Sequence, residues 1–384
     1  MTYRFDCPRI EVSGAPHERG VQYGRQARER IHRGVALYTA RVTGHDLDWP
    51  MIRSMVREFL PVIAAFDDSY IDEMKGIAHG AELEFEQVLL LNARTEILKL
   101  ASRPDLRAKL QDALAPDACT GVIVMPEAAQ EGRLLHAQNW DWRAECAETS
   151  VVLRIRREDG PDILTFTEAG GLARSGLNAV GIAITANYLE SDRDYRQLGV
   201  PLAFIRRKAL QQEHLALAMR AVYATPKSAS NNMMVSHRDG IAIDFECAPD
   251  ETFQVHAVDG LIVHANHWQS PVALAKLKDM GIQSTPDSLY RDIRVRWLLA
   301  QKRGGIGLDT VKEALFDDFE SPWAVCRPPR QTVSRTDDLS ATVAMIAMDP
   351  SAGIMDVAIL PALNRKFTRF SLEQQGSRVA AVAE

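Results

Sequence analysis

A chain of 384 residues, 46% hydrophobic and 25% charged, has material for a large core and lacks the bias of a disordered or fibrous protein. Its net charge of −6, with no Lys/Arg block beyond short runs such as Arg206-Arg207-Lys208, argues against a nucleic-acid surface. Five cysteines, an odd number without CxxC spacing, exclude a disulfide framework and a zinc knuckle and point to a reducing compartment.

No apolar run approaches the roughly 18 residues that span a bilayer, and the opening MTYRFDCPRIEV lacks a leader pattern, so the expected location is the cytoplasm. Residues 1–13 read as an edge strand and lead-in. Over 17–40, Val21, Gly24, Ala27, Ile31, Val35 and Tyr38 recur at helical spacing with arginines opposite. A second helix is predicted over 50–65. Ser69 and Asp72, at capping-box spacing, open a short helix that Gly80 closes, and 85–100 forms another.

After Cys119 the texture turns to β. Strands are predicted at 119–125, 133–142, 150–157, 162–167, 172–176 and 181–188. A long helix over 201–225, with Pro201 at its first position, interrupts them. Strands resume at 231–237, 241–246, 252–257 and 261–265, with Asp239-Gly240 and Asp259-Gly260 as hairpin signals. Helices at 286–303 and 308–317 precede a last strand pair at 342–348 and 353–359. Two antiparallel sheets with helices outside them fit this order: an α+β, four-layer αββα sandwich.

The change of texture falls at Asp117-Ala118-Cys119-Thr120-Gly121, where a cysteine among small residues heads a core strand. On the next strand, alternation sets Asn139 and Asp141 on one face and His136, Gln138 and Trp140 on the other. A thiol beside an amide and a carboxylate supplies a nucleophile, an orienter and polar stabilisers. The ordinary alternative is a buried structural cysteine. His136 and His267 make poor dyad partners, because His136 falls opposite Asp141 and His264 and His267 alternate across their own strand. The segments 244–246 and 264–267 lack HExxH-type spacing, and 170–176 (GGLARSG) lacks the lysine-serine ending of a phosphate loop. No metal and no cofactor is expected.

DACTG followed by QNWDW resembles the signature of the penicillin acyltransferase family (peptidase family C45), a branch of the N-terminal-nucleophile hydrolases. The stretches 167–170 (TEAG), 176–181 (GLNAVG), 186–188 (ANY), 264–267 (HANH) and Cys326-Arg327 resemble it in the same order. So do 14–20 and 91–96 in the pre-segment, and the likeness covers nearly the whole chain. The resemblance implies the αββα sandwich and a precursor that cuts itself between Ala118 and Cys119. Residues 1–118 would be a mainly helical α chain and 119–384 a β-rich catalytic β chain, both in one domain and still associated. It also implies that Cys119 is the nucleophile, with its own freed amine, of pKa near 7.7–8.0, as general base. By the same resemblance Asp141 holds that amine and the sulfur, and Asn266 offers its amide to the oxyanion. Asn187 completes the hole through its backbone N–H. Arg335, preceded by Ser334, matches the family's Ser-Arg pair, although the TDDLSA segment after it is longer than the family's; Arg327 is the competing candidate.

The implied activity is hydrolysis of the amide bond of a small N-acylated substrate through a thioester on Cys119. The alternative is transfer of an acyl group from a thioester donor such as an acyl-CoA to an amine resembling 6-aminopenicillanic acid. A third reading, from a different class, is an uncleaved, non-catalytic scaffold. Neither nucleic acid nor membrane is expected as a partner.

Overall fold

The computed structural model describes residues 4–43, 47–101, 118–332 and 335–372. Two sheets are stacked. The first runs β1 (Arg9–Val12), β4 (Ser150–Ile155), β5 (Ile163–Glu168), β6 (Ser175–Asn178), β7 (Ile182–Tyr188), β8 (Asn231–His237), β9 (Ile241–Cys247), β10 (Thr252–Val255). The second runs β11 (Leu261–His264), β2 (Ala118–Val124), β3 (Leu135–Arg143), β13 (Arg335–Asp349), β14 (Ile354–Ile359), β15 (Thr368–Ser371), with β12 (Arg330–Thr332) beside β13. Every pairing between these strands is antiparallel except β1 on β4.

The central strands β2 and β3 are buried along their whole length, since both faces of the second sheet are covered. One face meets the first sheet. There His136 of β3 bonds Ser236 and Thr185, each at 2.8 Å, and Ile123, Leu134, Met234 and Ile262 pack together.

Helices cover the outside. The pre-segment contributes α1 (Pro16–Gln26), α2 (Arg28–Thr43), α3 (Trp49–Arg57), α4 (Leu60–Asp67), α5 (Ser69–Ala81), α6 (Phe85–Asn92) and α7 (Arg94–Leu100), which share one apolar cluster with residues of the first sheet. α8 (Leu202–Leu210) and α9 (Leu215–Tyr223) lie on β7 and β8. After the short α10 (Pro271–Leu274), α11 (Ser288–Ala300) and α12 (Leu308–Leu315) set Val295, Leu299, Val311 and Leu315 against Val122, Ala137 and Met345 of the second sheet. Among the described residues no helix is long and apolar enough to cross a membrane.

Several expected helices are broken where backbone geometry intervenes. The 17–40 pattern splits at Ala27 (φ −106, ψ 13) and the 85–100 pattern at Ala93 (φ −111, ψ 18). The 201–225 helix becomes two, and Pro201 is the residue before the first of them. Ser69 begins α5 without capping it, and the helix ends at Glu82, which takes the left-handed conformation (φ 57). Gly80 is interior because α5 packs backbone to backbone on α1. A Cβ there would lie 2.2 Å from the Val21 carbonyl oxygen, and one on Gly20 would lie 2.2 Å from that of Glu73.

Beside this contact a buried carboxylate, Glu73, receives Arg19 Nε at 2.8 Å and Arg207 Nη2 at 3.0 Å. The ion pair therefore ties α1 and α5 of the pre-segment to α8 of the β-rich part.

Candidate active site

Cys119 is the second residue of β2 and is fully buried. In the β2–β3 register it faces Trp140, while Ala118 faces Asp141. Strand alternation therefore sends the thiol to the inter-sheet face and the Asp141 carboxylate to the helical face. On the inter-sheet side, Arg174 Nη2 donates to Cys119 Sγ at 3.7 Å, and its guanidinium lies 4.2 Å from the centre of the Trp140 ring. Trp140 in turn meets Phe166 edge-on at 5.8 Å.

The cysteine's backbone is gripped from two sides. Its N–H donates to Asn266 Oδ1 at 2.8 Å, and its carbonyl oxygen accepts from Arg291 Nη1 at 2.6 Å. Arg291 also donates to Thr120 Oγ1 and, through Nη2, to Asn266 Oδ1, both at 2.8 Å. Asp287 immediately precedes α11, and the i,i+4 spacing lets its Oδ2 accept from Arg291 Nε at 2.8 Å. Arg327 pairs with the same Asp287 oxygen and reaches Asp141 Oδ2 with Nε at 3.2 Å. Asp141 Oδ1 accepts from Thr342 Oγ1 at 2.6 Å, whose oxygen accepts from the Arg327 N–H at 2.7 Å.

A chain of two guanidiniums and two carboxylates thus runs from Asp141 to the nucleophile's backbone. All four groups are buried, and alternating charge is what makes that tolerable. Burial pushes the Asp141 carboxyl up, and Arg327 and Arg291 only partly offset it. Burial and the neighbouring Arg327 lower Arg291, against Asp287, which raises it.

The turn that delivers Asn266 is itself held. Asn187 Nδ2 donates to the carbonyl oxygens of His264 and Ala265 at 2.8 and 3.1 Å, and Asn187 Oδ1 accepts from Gln138 Nε2 at 2.7 Å. Glu246 Oε1 pairs with His264 Nε2 at 2.8 Å, and its other oxygen accepts from the Ser270 N–H at 3.0 Å. Burial would lower the His264 pKa, but Asp244 and Glu246 raise it to about 9. Gly121 packs against this region: a Cβ there would lie 2.5 Å from Met234 Sδ, so that side chain would have to shift.

Cys119, Asp141, Asn187 and Asn266, read from the sequence, are thus gathered, with altered geometry. Asn266 reaches Cys119 directly, but through its oxygen; its Nδ2 donates to the Tyr188 carbonyl at 2.9 Å. Asp141 engages Arg327 and Thr342 in place of the sulfur, because it lies on the other face of the sheet. Asn187 holds the 264–266 turn with its side chain. The Arg335 side chain lies outside the described residues, while Arg327, its competitor, stands at Asp141. His264 and His267 do not alternate: β11 ends at His264, and the two rings stack at 6.3 Å. His136, its pKa lowered to about 3 by burial, is held by two hydroxyls away from the thiol.

Sequence reasoning missed Arg174, Asp287, Arg291 and Thr342. Only Asp287 and Arg291 carried a local signal, their i,i+4 spacing on a predicted helix. All five cysteines are buried. Among the described residues no group of three or more His, Cys, Asp or Glu is placed to hold a metal ion.

Two stacked antiparallel sheets between helical layers, with a cysteine at the head of a central strand, form a four-layer αββα sandwich of the α+β class. The family described as acyl-coenzyme A:6-aminopenicillanic acid acyl-transferase matches residues 128–359, and the chain belongs to that family. It is 28% identical over 340 residues to the acyl-coenzyme A:6-aminopenicillanic-acid-acyltransferase 40 kDa form of Emericella nidulans, covering 86% of this chain and 87% of that one. An uncharacterized protein of Archaeoglobus fulgidus is 21% identical over 352 residues, covering 82% of this chain and 58% of its own. Among solved structures, a mutant of conjugated bile acid hydrolase from Clostridium perfringens is 13% identical with a TM-score of 0.47, covering 67% of this chain and 93% of that one. Penicillin V acylase from Agrobacterium tumefaciens is 14% identical with a TM-score of 0.39, covering 66% and 86%.

Proposed function

We propose that the chain matures by self-cleavage at Ala118–Cys119 and then acts as an N-terminal-cysteine amidohydrolase. The observation that carries this reading is the two-sided grip on the Cys119 backbone by Asn266 and Arg291, which fixes one residue of an inner strand with a charged, fully buried side chain. A merely structural cysteine needs no such anchoring.

In the intact chain, Sγ attacks the Ala118 carbonyl carbon and the peptide C–N bond breaks, leaving a thioester and a free Cys119 amine. Water then cleaves the thioester, releasing the Ala118 carboxylate and the thiol. In the mature form the amine takes the thiol proton, and the thiolate attacks the amide carbonyl of a small N-acylated substrate. The leaving amine departs with that proton, and water hydrolyses the resulting thioester. Asn266 Oδ1, already 2.8 Å from the nitrogen, accepts from the new ammonium.

Transfer is the second reading, because the family and the Emericella relative carry acyltransferase descriptions. There a thioester donor such as an acyl-CoA acylates Cys119, and an amine, not water, takes the acyl group.

Intact mass tests the first step: a split between Ala118 and Cys119 supports an enzyme, and a single persistent chain supports a non-catalytic scaffold. Product analysis with and without an acceptor amine then separates hydrolysis from transfer.

A further inference from the structure

Between the sheets, three side chains form a relay that ends at the turn carrying Asn266. Ser175 Oγ of β6 donates to Gln138 Oε1 of β3 at 2.7 Å. Gln138 Nε2 donates to the Ala186 carbonyl oxygen at 2.6 Å and to Asn187 Oδ1 at 2.7 Å, both on β7. Asn187 Nδ2 then donates to the carbonyl oxygens of His264 and Ala265 at 2.8 and 3.1 Å. One residue further on, Asn266 Oδ1 meets the Cys119 N–H. Ser175, Gln138 and Asn187 are each fully buried.

Chemistry at both ends fixes the direction of this relay. A backbone carbonyl can only accept, so the Gln138 atom facing Ala186 must be its nitrogen. That nitrogen can only donate, so the Asn187 atom facing it must be the oxygen. The Asn187 nitrogen is thereby turned to the carbonyls of His264 and Ala265, and the Ser175 hydroxyl is left to donate to the free Gln138 oxygen. Turning either amide would set oxygen against oxygen in a buried site. Gln138 stands opposite Gly121 in the β2–β3 register, but its amide bonds go to β6 and β7 and not to the cysteine. A position with only a packing duty is filled as well by Leu or Met, without an amide to satisfy.

We propose that Gln138 is a positioning residue for the nucleophile: by setting which way the Asn187 amide points, it holds the 264–266 turn where Asn266 receives the Cys119 nitrogen. Ser175 assists by occupying the remaining Gln138 oxygen. It follows Arg174, which contacts Sγ, so one stretch of chain serves both the sulfur and the nitrogen of Cys119. The inference rests on Cys119 as the nucleophile of self-cleavage and adds two residues that act on it only through others.

The test follows self-cleavage of full-length precursor, freshly made by cell-free synthesis, using intact mass from mildly acidic to mildly alkaline pH. Rates are taken per folded molecule, with the folded fraction read by near-ultraviolet circular dichroism, and each variant is expressed as a ratio to wild type at the same pH. Groups that titrate in both proteins, Asp244 and His264 among them, cancel in that ratio, and His136, lowered to about 3 by burial, stays neutral throughout. Gln138→Glu keeps the shape but, when ionised, turns a carboxylate oxygen toward Ala186 and Asn187. It should cleave at least about tenfold more slowly at alkaline pH. Burial raises the pKa of that carboxyl, and once protonated it donates again, so the ratio should climb back toward one as pH falls. Gln138→Met has no proton to regain and should stay slow at every pH. A Gln138→Glu ratio that is flat with pH, or either variant cleaving at the wild-type rate, would overturn the proposal. Should neither variant fold, Ser175→Ala decides: slowing by about threefold or more supports the relay, and an unchanged rate overturns it. A wild-type precursor that never splits overturns the Cys119 reading itself, whereas a wild type that splits beside unaffected variants sinks only this inference.

Discussion

Asn266 faces Cys119 with its side-chain oxygen: Oδ1 lies 2.8 Å from the cysteine N–H, and Arg291 donates to the same atom from 2.8 Å. Two donors on one oxygen fix which way the amide is turned and send Nδ2 to the Tyr188 carbonyl. The asparagine therefore serves the nucleophile's nitrogen before any oxyanion exists.

Asn266→Ala removes the acceptor for two buried donors. It should cost about 1–3 kcal/mol in stability and slow processing by roughly 100-fold. Asn266→Asp keeps the acceptor and should process faster than the alanine variant. Time courses of intact mass and urea melts would measure both. Processing of the alanine variant at the wild-type rate would remove Asn266 from the maturation step.

Cys119→Ala should persist as one folded chain, since no other described side chain is placed to attack the Ala118 carbonyl. Cys119→Ser should cut slowly, because a hydroxyl gives up its proton less readily than a thiol. Fragments with the same boundary from the alanine variant would contradict self-cleavage.

Asp141→Asn preserves shape and can keep the Thr342 contact, but it leaves Arg327 with Asp287 as its carboxylate partner. Breaking a buried ion pair should cost on the order of 3 kcal/mol, and processing should slow by about 100-fold. Adding Arg327→Gln should recover part of the lost stability, which a double-mutant cycle in denaturant would show. Full additivity of the two changes would rule out direct coupling.

The His264 pair gives a pH signature. Its folded pKa, about 9, lies above the unfolded value near 6.5. The stabilisation is thus fully present below about pH 6.5 and is lost as pH rises through 9. Asp244, raised to about 7 by burial, loses its own contribution at lower pH, between its unfolded value and 7. Wild-type stability should therefore still fall between pH 7 and 9, and His264→Gln should flatten that decline. An equal slope in the variant would place the titration elsewhere.

Much of the architecture was legible in the sequence because it depends on local pattern. The switch from period 3.6 to period 2 at Cys119 marked the inner strands, and alternation in 133–142 assigned the correct faces to Asn139 and Asp141 against His136, Gln138 and Trp140. The same alternation, applied across the β2–β3 register, separates the thiol from Asp141, but that register is a long-range fact. The broken helices were hidden because Ala27 and Ala93 are good helix formers whose backbone is set by packing. Arg174, Arg291 and Thr342 reach the site from bend, helix and strand segments 55 to 223 positions away along the chain, where no spacing rule applies.

The ion pair at Glu73 and the pairing of β1 with β4 cross from residues before Ala118 to residues after it. If the chain is cut there, separating the pieces would strand the Arg207 guanidinium in the core and strip β4 of an edge partner. Dissociation and unfolding then become one event, which yields two molecules from one. The melting temperature of the cut protein should rise with protein concentration, and that of uncut Cys119→Ala should not.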